Sequence, residues 1–482
     1  MKIPKEIELI LEELQEHSFE AFIVGGCVRD LLMGKAPKDW DVTTNARPEE
    51  IQKIFPDSFY ANEFGTVGIK TDHAEKSLQV VETTTYRTES SYSDQRHPDS
   101  IKFATTLEED LKRRDFTINA LAMDKEGKVI DLFSGQEDLK KKIIRAVGDP
   151  QERFSEDALR MIRAIRFATV LEFEIEAATL EAIKKNAGLM EKISQERIRD
   201  ELVKTISADQ ASRGVELLRE TNLMPFVIPE LLEGVDVGQN LHHIYTVWEH
   251  NVRALQYAAD KQYSVAVRLA SLLHDVGKPR SKRGEGKYST FYGHDMIGAK
   301  MSIKILARLK FSKDLSEKIT KLVRWHLFYY NVGEVTESSV RRLVANIGKE
   351  NVEDLVKVRE ADRIGSGTPK AHPYKLRHLQ FMIDKVARDP ISPKMLKLNG
   401  NELMTLLGLP PGPKIGMILA ALMEEVLDDP AKNTREFLEN RSRELSTLSE
   451  KELTDLAQKG KSKLAEEEEK AIKKIKQKHY VE

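Results

Sequence analysis

The chain has almost none of the features that mark a secreted or membrane-embedded protein. Of its 482 residues only Cys27 is a cysteine, so an internal disulfide framework is excluded and a reducing compartment is expected. No apolar run approaches the ~18 residues that a bilayer-spanning helix requires, and the lysine-containing amino terminus carries no signal-peptide pattern. A cytoplasmic protein without membrane attachment is therefore expected. An excess of one charge is also missing, since 76 Lys and Arg against 78 Asp and Glu give a formal net charge of −2. That excludes a globally basic nucleic-acid coat and leaves RNA contact to local patches. Cys27 stands beside an expected helix start, but no base in the sequence would activate it, and it reads as a small buried residue. With 40% hydrophobic and 32% charged residues, the chain can build sizeable cores, and its length suggests about three domains at ~150 residues each.

What is present begins with Val24-Gly25-Gly26-Cys27-Val28-Arg29-Asp30, followed by Lys38-Asp39-Trp40-Asp41-Val42. Glu20 to Val24 is apolar enough for a buried strand, the glycines permit a tight turn, and Val28 to Met33 reads as the first turns of a helix. Free backbone N–H groups at such a junction suit a triphosphate, and Arg29 adds a forked cation for its oxygens. Asp39 and Asp41 are two apart, so on an extended strand they point to one side. Two hard carboxylates suit Mg²⁺, which is commonly shared with substrate phosphates. Either motif alone also occurs in solvated turns; their order and closeness point to nucleotidyl transfer.

Residues 1 to about 150 mix helical segments with β-rich ones such as Gly65–Lys70 and Leu78–Arg87, and from Ser155 onward the apolar spacing is helical almost throughout. The expectation is α+β at the front and all-α behind. Arg441 to Glu482 is charge-dense and reads as an appended helix outside any core. Asp110-Leu111-Lys112-Arg113-Arg114-Asp115-Phe116-Thr117-Ile118-Asn119 places a basic pair at the start of an apolar, helix-like run, where it could grip phosphates or simply form a solvated helix start. Glu82 follows on a β segment, either supporting the metals or exposed. In Arg153 to Ala168, Asp157, Arg160, Arg163 and Arg166 recur every third position, which on one helix gives a slowly drifting stripe. A carboxylate accepts from the exocyclic amine of cytosine or adenine while a guanidinium donates to their ring acceptors, so Asp157 with Arg160 can read both bases. The alternative is an i,i+3 ion-pair ladder on a surface helix.

These motifs in their order, joined by Glu82-Thr83-Thr84-Thr85-Tyr86-Arg87 and Ser194-Gln195-Glu196-Arg197-Ile198-Arg199-Asp200-Glu201, resemble the class II CCA-adding enzymes, or tRNA nucleotidyltransferases, across about the first 235 residues. The resemblance implies an α+β polymerase-beta-type head with a mixed sheet, then an all-α neck, body and tail, adding C, C and A to tRNA 3′ ends from CTP and ATP without a template. It places Gly25, Gly26 and Arg29 on the triphosphate, Asp39 and Asp41 as catalytic carboxylates on Mg²⁺, and Arg114, Asp157, Arg160, Arg163 and Arg166 around the nucleotide. Tyr92-Ser93-Asp94-Gln95-Arg96-His97-Pro98 resembles the family's flexible loop, which argues against a CC-only enzyme. An A-adding enzyme and a poly(A) polymerase remain alternatives, although the strongly basic tail usual in the latter is missing.

A second constellation comprises His250, His274-Asp275, His294, His326 and Asp362 in helical segments, centred on Leu272-Leu273-His274-Asp275-Val276-Gly277-Lys278. Imidazoles with carboxylates suit a borderline divalent metal, and water bound there could act as a hydrolytic nucleophile. The pattern resembles the HD phosphohydrolase superfamily with its ligand positions filled, for which Ni²⁺ or Mn²⁺ are the expected metals; a scaffold role is the alternative. A stand-alone HD phosphohydrolase with a nucleotide-sensing head, and an RNA-binding protein that holds acceptor ends, are the rival readings of the whole chain. The expected division is a head over 1–150, a neck over 151–235, an HD-type domain over 236–370, a helical tail over 371–440 and a charged extension over 441–482.

Overall fold

The structure, a computed structural model, describes residues 3–62, 65–90, 100–239, 244–328, 330–387, 396–449, 451–456, 473 and 476–481. The loop at 92–98 lies outside the described residues. The chain forms two compact units, one made of Met1–Leu327 with Lys357–Pro369 and the other of Phe328–Val356 with Lys370–Glu482. The divisions expected at 150 and 235 fall inside the first unit, and the segment expected over 236–370 gives its residues 328–356 to the second.

The first unit opens with the helix Lys5–Glu16, which buries Ile7, Ile10, Leu11 and Leu14 at helical spacing. Nine strands follow: β1 (Ala21–Val24), β2 (Asp41–Thr44), β3 (Ser58–Asn62), β4 (Thr66–Lys70), β5 (Val80–Thr85), β6 (Arg87–Ser90), β7 (Ser100–Phe103), β8 (Leu121–Met123) and β9 (Val129–Asp131). Seven of them make one mixed sheet in the order β3-β4-β5-β2-β1-β8-β9, while β6 and β7 pair separately. Within that sheet, among the described residues, only β2 and β5 pair in parallel, with Asp41 opposite Glu82. Because successive strand residues face opposite sides, that register sets the strand glutamate beside the metal-ready carboxylate. The sheet packs against the first helix in a core that includes Ile23, Trp40, Val42, Val67, Val81 and the buried Cys27.

Two sequence expectations change here. The apolar run after Asp115 is not a helix but the short 3-10 turn Thr117–Asn119 followed by β8. Leu121, Ala122 and Met123 are wholly buried, and a fully buried strand has the same unbroken apolar pattern as a buried helix. The arginine segment is likewise two helices, Pro150–Glu156 and Leu159–Leu171, broken at Asp157, whose φ of −136° and ψ of 103° are extended. Asp157 Oδ1 accepts a hydrogen bond from the Leu159 N–H at 3.0 Å, so it caps the second helix instead of continuing the first.

Apart from the short parallel pair Ile143–Ile144 with Glu174–Ile175, the rest of the first unit is helical among the described residues, and the second unit has its own apolar clusters. One gathers Leu403, Ile418, Leu422, Leu438, Leu445 and Leu453. The helix Arg435–Ser446 crosses the boundary expected at 441, and Leu445 and Leu453 are buried. The charge density of this stretch therefore belongs to the open face of an amphipathic helix whose Leu438 and Leu445, seven apart, face inward. Among the described residues no helix is long and apolar enough to cross a membrane.

Candidate active site and a candidate metal centre

The glycine turn follows β1 directly. Gly25 has φ +84°, in the region that favours glycine, and a Cβ there would lie 2.9 Å from Arg114 Nη1 and 3.9 Å from Asp41 Oδ2. The turn, the basic pair and the strand carboxylate thus meet within one small space. The helix that follows, Gly26–Leu32, has only seven residues, so arginines carry more of the local positive charge than its dipole does. Trp40 is buried while Asp39 is exposed, which leaves Asp39 and Asp41 on the open side of the chain. β2 begins at Asp41, so Asp39 occupies the preceding bend and not the strand itself. Burial pushes the Asp41 carboxyl up to about 6; Arg114 pulls it down, and the neighbouring Glu82 and Asp39 charges raise it. Excess negative charge of this kind, held by oxygen donors, fits a divalent cation.

The arginines are held by an internal network. Arg114 Nη2 donates to Asp110 Oδ2 at 3.2 Å, Arg113 donates to Asp110 Oδ1 at 2.8 and 2.9 Å, and Thr43 Oγ1 on β2 donates to Asp110 Oδ2 at 3.3 Å. Burial would raise the Asp110 carboxyl, but Arg113 and Arg114 hold it below the usual carboxylate range. Arg29 donates to Asn119 Oδ1 at 2.7 Å and to Asp30; Asn119 Nδ2 donates to Asp115 Oδ1 at 3.0 Å; Arg163 donates to Asp115 Oδ2 at 2.5 and 2.9 Å. Arg166 donates to Glu201 at 2.5 Å. The guanidinium carbons of Arg29, Arg163 and Arg166 lie 5.3, 5.5 and 3.8 Å from the centre of the Phe167 ring. Arg160, 6% exposed, donates to Glu156 at 2.9 Å and to the Arg113 carbonyl at 2.8 Å, and Asp157 accepts from Arg197 at 3.0 Å. The four members of the expected stripe are thus not a surface ladder, because their partners lie on Asp115, Glu201, Arg197 and the backbone of Arg113. Sequence reasoning gave no role to Asp110, Glu156, Arg197 or Glu201. The spacing of Asp110 three and four residues before Arg113 and Arg114 was the available signal.

The second constellation converges completely. His250 lies on Val247–Asp260, His274 and Asp275 follow Val265–Leu273, His294 starts His294–Arg308, His326 follows Lys313–Trp325, and Asp362 lies on Val352–Gly365. Their ligand atoms form two groups, His250-His274-Asp275-Asp362 and Asp275-His294-His326, each within 4.8 Å. All six are buried. Gly277 makes the approach possible, since a Cβ there would stand 2.2 Å from the His294 carbonyl oxygen and 2.5 Å from the Gly298 nitrogen. Burial alone would lower His274, but the Asp275 and Asp362 carboxylates outweigh it and raise it to about 10. Lys278 Nζ stands 2.6 Å from Asp275 Oδ2, and Lys278 and His274 hold Asp275 well below the usual range against its burial. The cluster opens into a cavity of about 440 Å³ whose walls include Lys278, Arg359, Arg363 and Tyr292.

Comparison with known proteins identifies the relatives of the chain. Residues 21–145 match the poly A polymerase head domain, 172–234 the RNA and SrmB binding site of polymerase A, and 295–441 the tRNA nucleotidyltransferase domain 2. The chain is 36% identical over 438 residues to the CCA-adding enzyme of Ligilactobacillus salivarius, covering 90% of this chain and 95% of that one. It is 34% identical over 445 residues to the CCA-adding enzyme of Enterococcus faecalis, covering 90% and 94%. The crystal structure of the Bacillus stearothermophilus CCA-adding enzyme in complex with CTP superposes with a TM-score of 0.60 at 30% identity, over 92% of this chain and 98% of that one.

Proposed function

The chain belongs to the class II CCA-adding enzyme family, and from that premise we propose that it is a template-independent tRNA nucleotidyltransferase that completes tRNA 3′ ends with C, C and A from CTP and ATP in the cytoplasm. The observation that carries the reading is the meeting of Gly25, Arg114 and Asp41, with Glu82 in register beside Asp41. Asp39 and Asp41 would hold Mg²⁺, with Glu82 in support. When bound, the ion supplies charge neutralisation between the attacking oxygen and the triphosphate. The tRNA 3′-oxygen forms a bond to the α-phosphorus as the bond to pyrophosphate breaks, in line, with the hydroxyl proton lost on attack. Gly25 and Gly26 let the triphosphate approach the backbone, and Arg29 and Arg114 bind its oxygens. Asp157 and Arg160 accept from and donate to the edge of C or A, while Arg163 and Arg166 fix the surrounding helix through Asp115 and Glu201. The head over 1–150 does the chemistry, and the neck over 151–235 reads the base.

The test is to supply labelled CTP or ATP with Mg²⁺ to tRNAs ending before the first C, the second C or the terminal A. Incorporation of C, C and A in turn supports the reading. Addition of A alone identifies an A-adding enzyme, long A tails a poly(A) polymerase, and hydrolysis or binding without incorporation refutes transfer.

A specific observation supports a second activity in the same chain. Four histidines and two aspartates 112 residues apart in sequence at their extremes converge in one buried cluster beside a cavity with cationic walls. The cluster supports reading this region as a metal-dependent phosphohydrolase, with Ni²⁺ or Mn²⁺ suited to imidazole ligands.

A further inference from the structure

Asp110 is a charged residue to which the chemistry of the head gives no task. It is fully buried on the helix Leu107–Lys112, and its partners come from the residues just past that helix and from β2. Arg113 Nε and Nη2 donate to its Oδ1 at 2.9 and 2.8 Å, Arg114 Nη2 donates to its Oδ2 at 3.2 Å, and Thr43 Oγ1 lies 3.3 Å from the same Oδ2. A carboxylate has about four acceptor positions, and these donors take them up. Thr43 stands two residues after Asp41 on β2, so both side chains leave the strand on one side. A single buried carboxylate therefore joins the arginine beside the glycine turn to the strand that carries the metal-ready acid.

Arg114 is held at one end. Its Nη2 is on Asp110, its Nη1 lies 2.9 Å from where a Gly25 Cβ would stand, and its Nε is buried without a hydrogen-bond partner among the described residues. A buried N–H left unpaired is costly, and an anion at the Gly25 turn would remove that cost. Among the described residues Arg114 pairs with Asp110 and not with Asp41, although its charge is near enough to pull the Asp41 carboxyl down. Released from Asp110, the guanidinium would be drawn toward Asp41 and away from an incoming anion. Resting on the reading of the Gly25 turn as a triphosphate site, we propose that Asp110 is a positioning residue: it never meets the nucleotide, but it holds Arg114 off Asp41 and leaves Nη1 and Nε to phosphate oxygens. CTP and ATP share those oxygens, so Asp110 serves both alike. Base choice stays apart from it, because Arg160 keeps its own brace on Glu156.

The test is the affinity for inorganic tripolyphosphate, a probe with phosphates and no base, measured by isothermal titration calorimetry on the full-length protein with Mg²⁺, alone and against CTP. Asp110→Asn removes a negative charge close to the site, and charge alone would then tighten the binding of an anion. Positioning predicts the opposite sign. Kd should weaken by about tenfold, as for one lost charge-assisted contact, with KM for CTP and ATP raised by the same factor and the preference for CTP over UTP unchanged. In an Arg114→Ala background the same change should cost nothing further, since the side chain it positions is gone. Asp110→Ser, which sets no amide N–H against the two guanidinium groups, repeats the measurement if Asp110→Asn melts below the assay temperature. Binding that holds or tightens, a loss that adds fully to that of Arg114→Ala, unequal KM shifts for CTP and ATP, or unfolding of both variants overturns the role of Asp110 and leaves nucleotidyl transfer standing. Wild-type protein that binds no tripolyphosphate, or binds it without competing with CTP, overturns the triphosphate site and the role of Asp110 with it.

Discussion

The two clusters of acids in this molecule differ in what completes them. In the head, Asp41 faces Arg114 and a glycine turn, and burial with the neighbouring Glu82 and Asp39 charges raises it to about 6 against the pull of Arg114. On the proposed reading these acids would supply part of a coordination shell and leave the rest to arrive with a triphosphate. In the helical region, imidazole nitrogens and carboxylate oxygens already surround the space from five directions. The first pattern suits an ion that comes and goes with substrate, and the second suits resident ions. Where a protein places its nitrogen ligands therefore distinguishes a borrowed metal from an owned one, even when both sites are rich in acid.

The largest effect that would break this contrast is at Asp41. Asp41→Ala should lower nucleotide addition by at least ~10³-fold in kcat while tRNA binding and the metal content of the helical cluster stay unchanged. Single-turnover incorporation of CTP, run beside elemental analysis, checks both halves, and near wild-type addition would remove Asp41 from the metal. The reciprocal change, His274→Ala with Asp275→Ala, should abolish Mn²⁺- or Ni²⁺-dependent hydrolysis of a 2′,3′-cyclic nucleotide and keep nucleotide addition within about twofold, as for independent distant sites. Loss of addition in that variant would show that the sites are coupled.

Smaller effects sharpen the picture of the head. Arg160→Ala should cost about 1–3 kcal/mol of discrimination between CTP and UTP, read as competing incorporation. Unchanged rejection of UTP would reduce Arg160 to a brace between Glu156 and the Arg113 carbonyl. The smallest effect concerns Asp115. Burial would raise its carboxyl, yet Arg163 and Asn119 hold it at about 2, below the ~3.9 of a free aspartate. A depressed carboxyl stabilises the fold above the unfolded value and loses that contribution as pH falls through the folded one. The stability gap between wild type and Asp115→Asn should therefore be full above pH ~4 and close between about pH 4 and 2. Denaturant midpoints across that range measure it, and a constant gap would mean that folding does not lower the Asp115 carboxyl.

The sequence was most readable where chemistry and local geometry coincide. The Gly25-Gly26 turn, the Asp39 and Asp41 spacing and the six histidine-cluster residues could be named without coordinates because each needs a particular residue type. What stayed hidden depended on partners distant in the chain. Glu82 was ambiguous until the parallel register of β2 and β5 set it opposite Asp41. Asp157 could not be told from a mid-helix residue, since a capping aspartate and a helical one share the same every-third spacing. Leu121 to Met123 read as helix because a strand buried on both sides has no alternation. Leu445 and Leu453 were masked by the charges around them, although their burial places this stretch in a core.

The chain of bonds from Arg29 through Asn119 and Asp115 to Arg163 has one more consequence. It joins the turn proposed to hold phosphates to the helix proposed to read bases by buried contacts, so on that reading the distance between the two ends of a bound nucleotide would be set by the protein interior. A polymerase that copies a strand receives its instructions afresh at every step and can slip along them. On the proposed reading the instruction would be written once, in side chains, and inherited with the gene: its errors would be heritable mutations of a ruler and not accidents of reading.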